Sequence, residues 1–364
     1  MSRVYRTFGS ALLCLEVLAL AQAAAAQIAS KEGTGPVHVM TEPPIPSGAN
    51  RRVTINVTVM DSKGMPVPGL TQQDFALFDN KKPTPITSFE AFGSAQTPAR
   101  PDEVILVVDA VNLEFQYVAY TRQEMEIFLR ENEGHLAAPT SIFVASDTGV
   151  SGLSEPSANG IALADALDQN QSGLRMVGKS AGIWGADERF QVSLQMFMSI
   201  VQNAAARPGR KLIIWIGPGW PLLNSVRFNE PSRKLEQQFF DAIVQISTAM
   251  RQNNITLDSI SAGMPDSTTF IYQSFLKGVK SPNDADTPNL GEKVIAAQSG
   301  GIVIPPEFNL PGDIQKCIDD ASVYYRLSFD APPADKPNQF HSLEVKVGGR
   351  KLETHTNVGY YDQP

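Results

Sequence analysis

One stretch constrains this chain more than any other: Glu103-Val104-Ile105-Leu106-Val107-Val108-Asp109, followed by Ala110-Val111-Asn112-Leu113. Five consecutive apolar residues, three of them valine, end in a carboxylate, and a helix-like pattern begins near Tyr117. A continuous β-branched run bounded by turn signals reads as a strand buried on both faces of a parallel sheet. An aspartate at the carboxyl end of such a strand stands where open α/β sheets take their ligands.

Strands and helices alternate beyond the boundary at Pro98 to Pro101. Strands are expected over 141–146, 211–216, 255–260 and 301–304. Helices are expected over 118–131, 160–168, 188–206, 232–252, 289–299 and 311–321. This alternation predicts an α/β domain over 101–321, a doubly wound and mostly parallel sheet covered on both sides. Before it, Val53, Ile55, Val57 and Val59 alternate with Thr54, Asn56 and Thr58, the pattern of a half-buried strand; 74–78 and 86–92 read as two more. After it come strands over 323–329 and 343–347, a Gly348-Gly349 hairpin turn, and a last strand from about Lys351 to Tyr360. The economical arrangement is a β-sandwich made from N- and C-terminal strands, 51–97 and 322–364, with the α/β domain inserted between them.

The amino terminus predicts export. Arg3 and Arg6 precede an apolar run, and Ala23 to Ala26 supply small residues before Gln27, so 1–26 reads as a cleaved signal peptide and 27–50 as a flexible leader. A membrane anchor is the competing reading, but the run is short and broken by Glu16. Leu13 stands where a lipidated Cys14 would want a small neighbour. The expected location is secreted or periplasmic. With Cys14 removed, Cys317 is the remaining cysteine, expected as a small buried hydrophobe without a disulfide. A net charge of −8 with both signs interspersed argues against nucleic acid, and no later apolar run spans a membrane.

Val57-Thr58-Val59-Met60-Asp61-Ser62-Lys63-Gly64, Gly69-Leu70-Thr71-Gln72-Gln73-Asp74-Phe75, the strand ending at Asp109, Pro208-Gly209-Arg210-Lys211 with the Gly217-Pro218-Gly219-Trp220-Pro221 turn, and Gly359-Tyr360 together resemble the von Willebrand factor A-related proteins of the bacterial, acidobacterial type. The resemblance implies a von Willebrand factor A-like α/β domain. Such domains bind Mg²⁺ through Asp-x-Ser-x-Ser, a threonine and a further aspartate, and leave a position open for a partner's acid. Here Asp109 matches, but Val111 and Leu113 stand at the two serine positions and Pro218 with its glycines at the aspartate. Ser180 is the candidate for the threonine. The expected site is therefore degenerate, with no metal and no cofactor.

Two motifs fit only by spelling. Gly173 to Ser180 matches G-x-x-x-x-G-K-S, and Gly178 to Gly182 matches G-x-S-x-G. Both need a strand before and a helix after, whereas Asp168 to Ser172 is polar and glycines follow. His38, His135, His341 and His355 lack helical i, i+4 partners and read as surface or packing residues. Asp319-Asp320, Asp284 and Asp286 read as solvated charge. The expected function is thus a non-enzymatic protein–protein interaction module. Its contact surface would be the carboxyl-edge loops: Asp109, Asn112, Glu114, Phe115, Gly217, Gly219 and Trp220. A Mg²⁺-dependent adhesion module and a serine hydrolase using Ser180 are the alternatives.

Overall fold

In the computed structural model, the described residues are 51–94, 97–146, 149–169, 182–222, 233–263, 271–306, 309–348 and 352–363. The signal peptide, the leader, Ser180 and both glycine-rich motifs except Gly182 lie outside them.

The central sheet has six strands: β5 (Glu103–Asp109), β6 (His135–Ser146), β7 (Gly149–Asn159), β8 (Lys211–Gly217), β9 (Ile255–Ser261) and β10 (Val303–Ile304), in the order β10-β9-β8-β5-β6-β7. All neighbouring pairs are parallel except β6–β7. Every residue of β5 and of β8 is buried, as a strand covered on both faces must be. On one face α3 (Gly182–Ala205), α4 (Arg233–Gln252) and α5 (Glu292–Gln298) pack Phe197, Phe240 and Ile295 against Ile105, Val107, Ile213 and Leu257. On the other, α1 (Phe115–Arg130), α2 (Gly160–Gln169) and α6 (Leu310–Asp320) pack Met125, Leu163 and Ile314 against Val104, Leu106 and Ile214. No helix of the described residues is long and apolar enough to cross a membrane.

Two four-stranded antiparallel sheets share a second core. One is β13-β1-β11-β4, the other β14-β12-β2-β3. Here β1 is Arg52–Met60, β2 Phe75–Asp79, β3 Lys82–Thr84, β4 Ser88–Phe92, β11 Tyr324–Asp330, β12 Gln339–Val347, β13 Glu353–His355 and β14 Gly359–Asp362. Each sheet mixes strands from both ends of the chain. Val53, Ile55, Val57 and Val59 of β1 meet Leu77, Leu327, Phe329 and Val345 in that core, the set its alternation selects.

Three elements depart from expectation. The edge strand β7 has Gly, Ser and Pro at most positions, and only pairing with β6 makes it a strand. The short β3 closes a hairpin through Asn80 and Lys81, both in the left-handed region. The single last strand is two: β13 pairs with β1, while β14 pairs with β12 in the opposite sheet. Thr356 to Val358 make that crossing, with the Thr356 hydroxyl donating to Asn56 O and Val358 N to Gln298 O. The Gly348-Gly349 turn and the strand start at Lys351 fall partly outside the described residues; within them β13 pairs with β1 rather than with β12.

Candidate functional site

Asp109, Gly217 and Ser261 end three adjacent parallel strands, with Gly217 in register with Ser261 and Ile216 with Val108. This row marks the carboxyl edge. A Cβ on Gly217 would come within 2.7 Å of the Asp109 Cβ, so glycine lets the two strand ends close.

Asp109 is fully buried. Its Oδ1 accepts from Val111 N at 3.1 Å and Asn112 N at 3.0 Å, and its Oδ2 accepts from the Asn112 amide at 2.9 Å and Trp215 Nε1 at 3.1 Å. The same Asn112 amide donates to Ser193 Oγ at 2.9 Å, tying the loop to α3. Burial raises the Asp109 pKa, and the Asn112 and Trp215 hydrogen bonds oppose that rise. A carboxylate has about four lone-pair sites, and this one spends them on its own chain.

A second buried acid joins it, one absent from the sequence expectation. Glu292, the first residue of α5, is 1% exposed and accepts from the Ser259 hydroxyl at 3.2 Å. Burial pushes its pKa up to about 8, with Lys293 and Ser259 lowering it and Asp109 raising it. Among the described residues Glu292 Oε1, Ser261 Oγ and Asn112 Oδ1 are buried with no hydrogen-bond partner, and an unpaired Oε1 favours the neutral acid. Ser193, Ser259, Ser261 and Glu292 escaped sequence reasoning because a polar residue inside a helix, on alternating strand positions or at a helix start carries no distinctive spacing.

Trp220 does not belong to an exposed patch, and this corrects the expectation. It is 4% exposed and packs edge-on against Trp215, Phe197 and Phe190, with ring centroids 5.4, 5.7 and 6.4 Å away. Asp109 and Gly217 are likewise interior, so none of the three offers a side chain to a partner. Gly219 is half-buried with φ +91 and lies against the Lys293 stem, whose Nζ donates to Pro218 O at 3.2 Å. Asn112 is half-buried. Glu114 and Phe115 stand at the surface, Phe115 at 51% exposure.

The described residues do not fit the Mg²⁺ of an adhesion site, and Ser180, the candidate for the threonine, lies outside them. Asp109 is saturated, Val111 and Leu113 are buried hydrocarbons, and burial raises the pKa of Glu292. Among the described residues no three His, Cys, Asp or Glu side chains are grouped to hold an ion. Millimolar Mg²⁺ is therefore expected to leave the melting temperature unchanged, whereas an ion at a hundredfold its Kd would add about 2.7 kcal/mol. A rise in melting temperature that Asp109→Asn removes would overturn this.

Another buried polar group lies at the seam between the sandwich and the α/β domain. Asp258 of β9 is 1% exposed, accepts from Ile302 N at 2.9 Å and bonds the Cys317 thiol of α6. Burial and then Asp320 push its pKa up to about 8. His355 of β13 lies 3.3 Å from Asp320 and 3.6 Å from Glu353, and the Asp320 bond raises its pKa against the effect of burial. Asp320 is thus a buried partner rather than solvated charge, while Asp284 and Asp319 sit at the surface. Cys317 is fully buried, with its thiol pKa pushed up by burial. His341 is also interior, 2.9 Å from Asp79 Oδ1, and Asp79 Oδ2 accepts from Tyr360 at 2.7 Å; His135 is exposed.

No family model matches the chain, and no curated protein matches it. Among solved structures it is similar to human COPII-coat protein Sec24c, with TM-score 0.38 and 10% identity over 75% of this chain and 46% of that one. Proximal thread matrix protein 1 of the mussel byssus gives 0.34 and 14%, covering 64% and 50%. Manganese-loaded TRAP of Plasmodium vivax gives 0.31 and 10%, covering 74% and 96%. The chain spans about half the length of the first two.

Proposed function

We propose an exported, non-enzymatic protein-binding module, a von Willebrand factor A-like α/β domain carried on a sandwich of N- and C-terminal strands. Its contact surface is the carboxyl-edge rim formed by Glu114, Phe115 and the first turns of α1. The observation that carries this reading is Phe115, a large apolar ring 51% exposed immediately after a loop whose carboxylate is fully engaged. Tyr120 on the same helix is 37% exposed, so the rim offers two aromatic rings within two turns. Aromatic anchors of this kind dominate interface energetics. The saturated Asp109 supports metal-independent binding, because no lone pair is left to bridge a cation to a partner's acid.

Phe115→Ala is expected to melt like the parent, since little core contact is removed. It should weaken capture of the native envelope partner by about 2 kcal/mol, the usual cost of an interface anchor. Undiminished capture by both Phe115→Ala and Tyr120→Ala would sink the reading.

A further inference from the structure

A cavity of about 330 Å³ opens at the amino-terminal edge of the six-stranded sheet, the edge opposite the Asp109 loop. Small-molecule sites span about 300–1,000 Å³, so it has room for a small ligand. Leu136 to Pro139 of β6 run ahead of the first pairing with β5, Val104 with Thr140, and leave a notch beside the end of α1. Phe128, Ala138 and Ile318, all members of the core on that face, form its floor. Arg100, Glu131 and His135 are exposed and form its rim. Between α1 and β6 the chain turns through Asn132, Glu133 and Gly134, with φ of 49°, 58° and 77°. Non-glycine residues adopt that region rarely, and such turns gather at ligand sites. Much of the polar lining is already engaged. The Thr140 hydroxyl donates to Ala138 O at 3.0 Å, and the Gln315 amide donates to Asp319 Oδ1 at 2.8 Å. His135 Nδ1 donates to Asn132 O at 3.1 Å, since a carbonyl can only accept. Arg130 is drawn away to Asp165 at 2.7 Å. Among the described residues Arg100 and Glu131 form no ion pair, with each other or with any other group.

We propose that this cavity binds a free α-amino acid with an apolar side chain. Opposite charges on one rim, held apart rather than paired, suit a ligand that carries both charges itself. The Arg100 guanidinium takes the carboxylate, which its planar fork matches bidentately. The Glu131 carboxylate takes the ammonium, helped by about half a negative charge at the carboxyl end of α1, which Glu131 caps. The side chain packs on Phe128, Ala138 and Ile318. An anionic ligand would be repelled by Glu131 and a cationic one by Arg100. A purely apolar ligand would strip water from both charges and replace it with nothing. The site is independent of the protein-binding reading, whose contact surface lies at the other edge of the sheet.

The test is titration calorimetry of the whole chain with L-leucine, L-phenylalanine, N-acetyl-leucine, leucinamide and glycine. Saturable one-site binding is expected with leucine, phenylalanine or both. N-acetyl-leucine lacks the ammonium and leucinamide lacks the carboxylate, so each should bind at least about tenfold more weakly than leucine. Glycine, with no side chain for the floor, should also lose at least about tenfold. Arg100→Gln should weaken leucine by a similar factor without weakening leucinamide. Glu131→Gln should weaken leucine without weakening N-acetyl-leucine. Both side chains are exposed, so both variants should melt like the parent. No saturable heat with either leucine or phenylalanine overturns the inference. So does N-acetyl-leucine or leucinamide binding as tightly as leucine, or leucine binding that survives both substitutions unchanged.

Discussion

Asp258→Asn is expected to raise the melting temperature by several degrees near pH 8 and to change it little near pH 4 and below. Asp258 is buried at the seam between the two parts of the molecule, and its folded pKa of about 8 lies above its value in the unfolded chain. A group of this sign contributes stability that is fully present below the unfolded pKa and lost as pH rises through the folded one. His355 and Glu292 are shifted upward too, so all three move stability in the same direction. The parent should therefore lose stability from about pH 4 to about pH 8, with Asp258 responsible for a few kcal/mol of the change. Asparagine is nearly isosteric with the neutral acid and keeps an oxygen for Ile302 N, so it removes the ionisation cost while retaining the bond. Thermal melts of parent and variant across this range decide the matter. A variant that is less stable by the same amount at both pH values would mean that Asp258 is ionised and paired with His355.

Trp220→Ala is expected to be the most damaging single change at the carboxyl edge, and to damage the fold rather than recognition. Truncating a buried tryptophan costs about 3–5 kcal/mol, which corresponds to a loss of roughly ten degrees in melting temperature. The indole interlocks edge-on with Trp215, and Trp215 in turn donates to Asp109, so the cavity undercuts the hydrogen bonds that hold the Asp109 loop. Trp220→Phe should lose much less. Measured below its own transition, Trp220→Ala should still capture the partner. A variant that melts like the parent and no longer captures it would restore Trp220 to the contact surface.

Periodicity alone determined most of the architecture. The run Val104 to Val108 cannot be covered on one face only, so it dictates a central strand with helices on both sides. The alternation from Val53 to Val59 dictates a strand with one wet face. Asp109 was legible as the end of the central strand, because a carboxylate closing an apolar run has few other places to stand. What the tertiary structure alone decided is where side chains without a local period end up. Trp220 between glycines and prolines reads equally as a surface anchor or a core plug, and only the aromatic neighbours supplied by α3 and β8 choose the core. Nothing in the sequence singles out Glu292 or Asp258, since burial is a property of the neighbours and not of the residue. The strand β7 and the split of the last strand into β13 and β14 likewise depend on partners far away in sequence. Backbone hydrogen bonds to those partners, rather than any preference of Gly, Ser or Pro, made them strands.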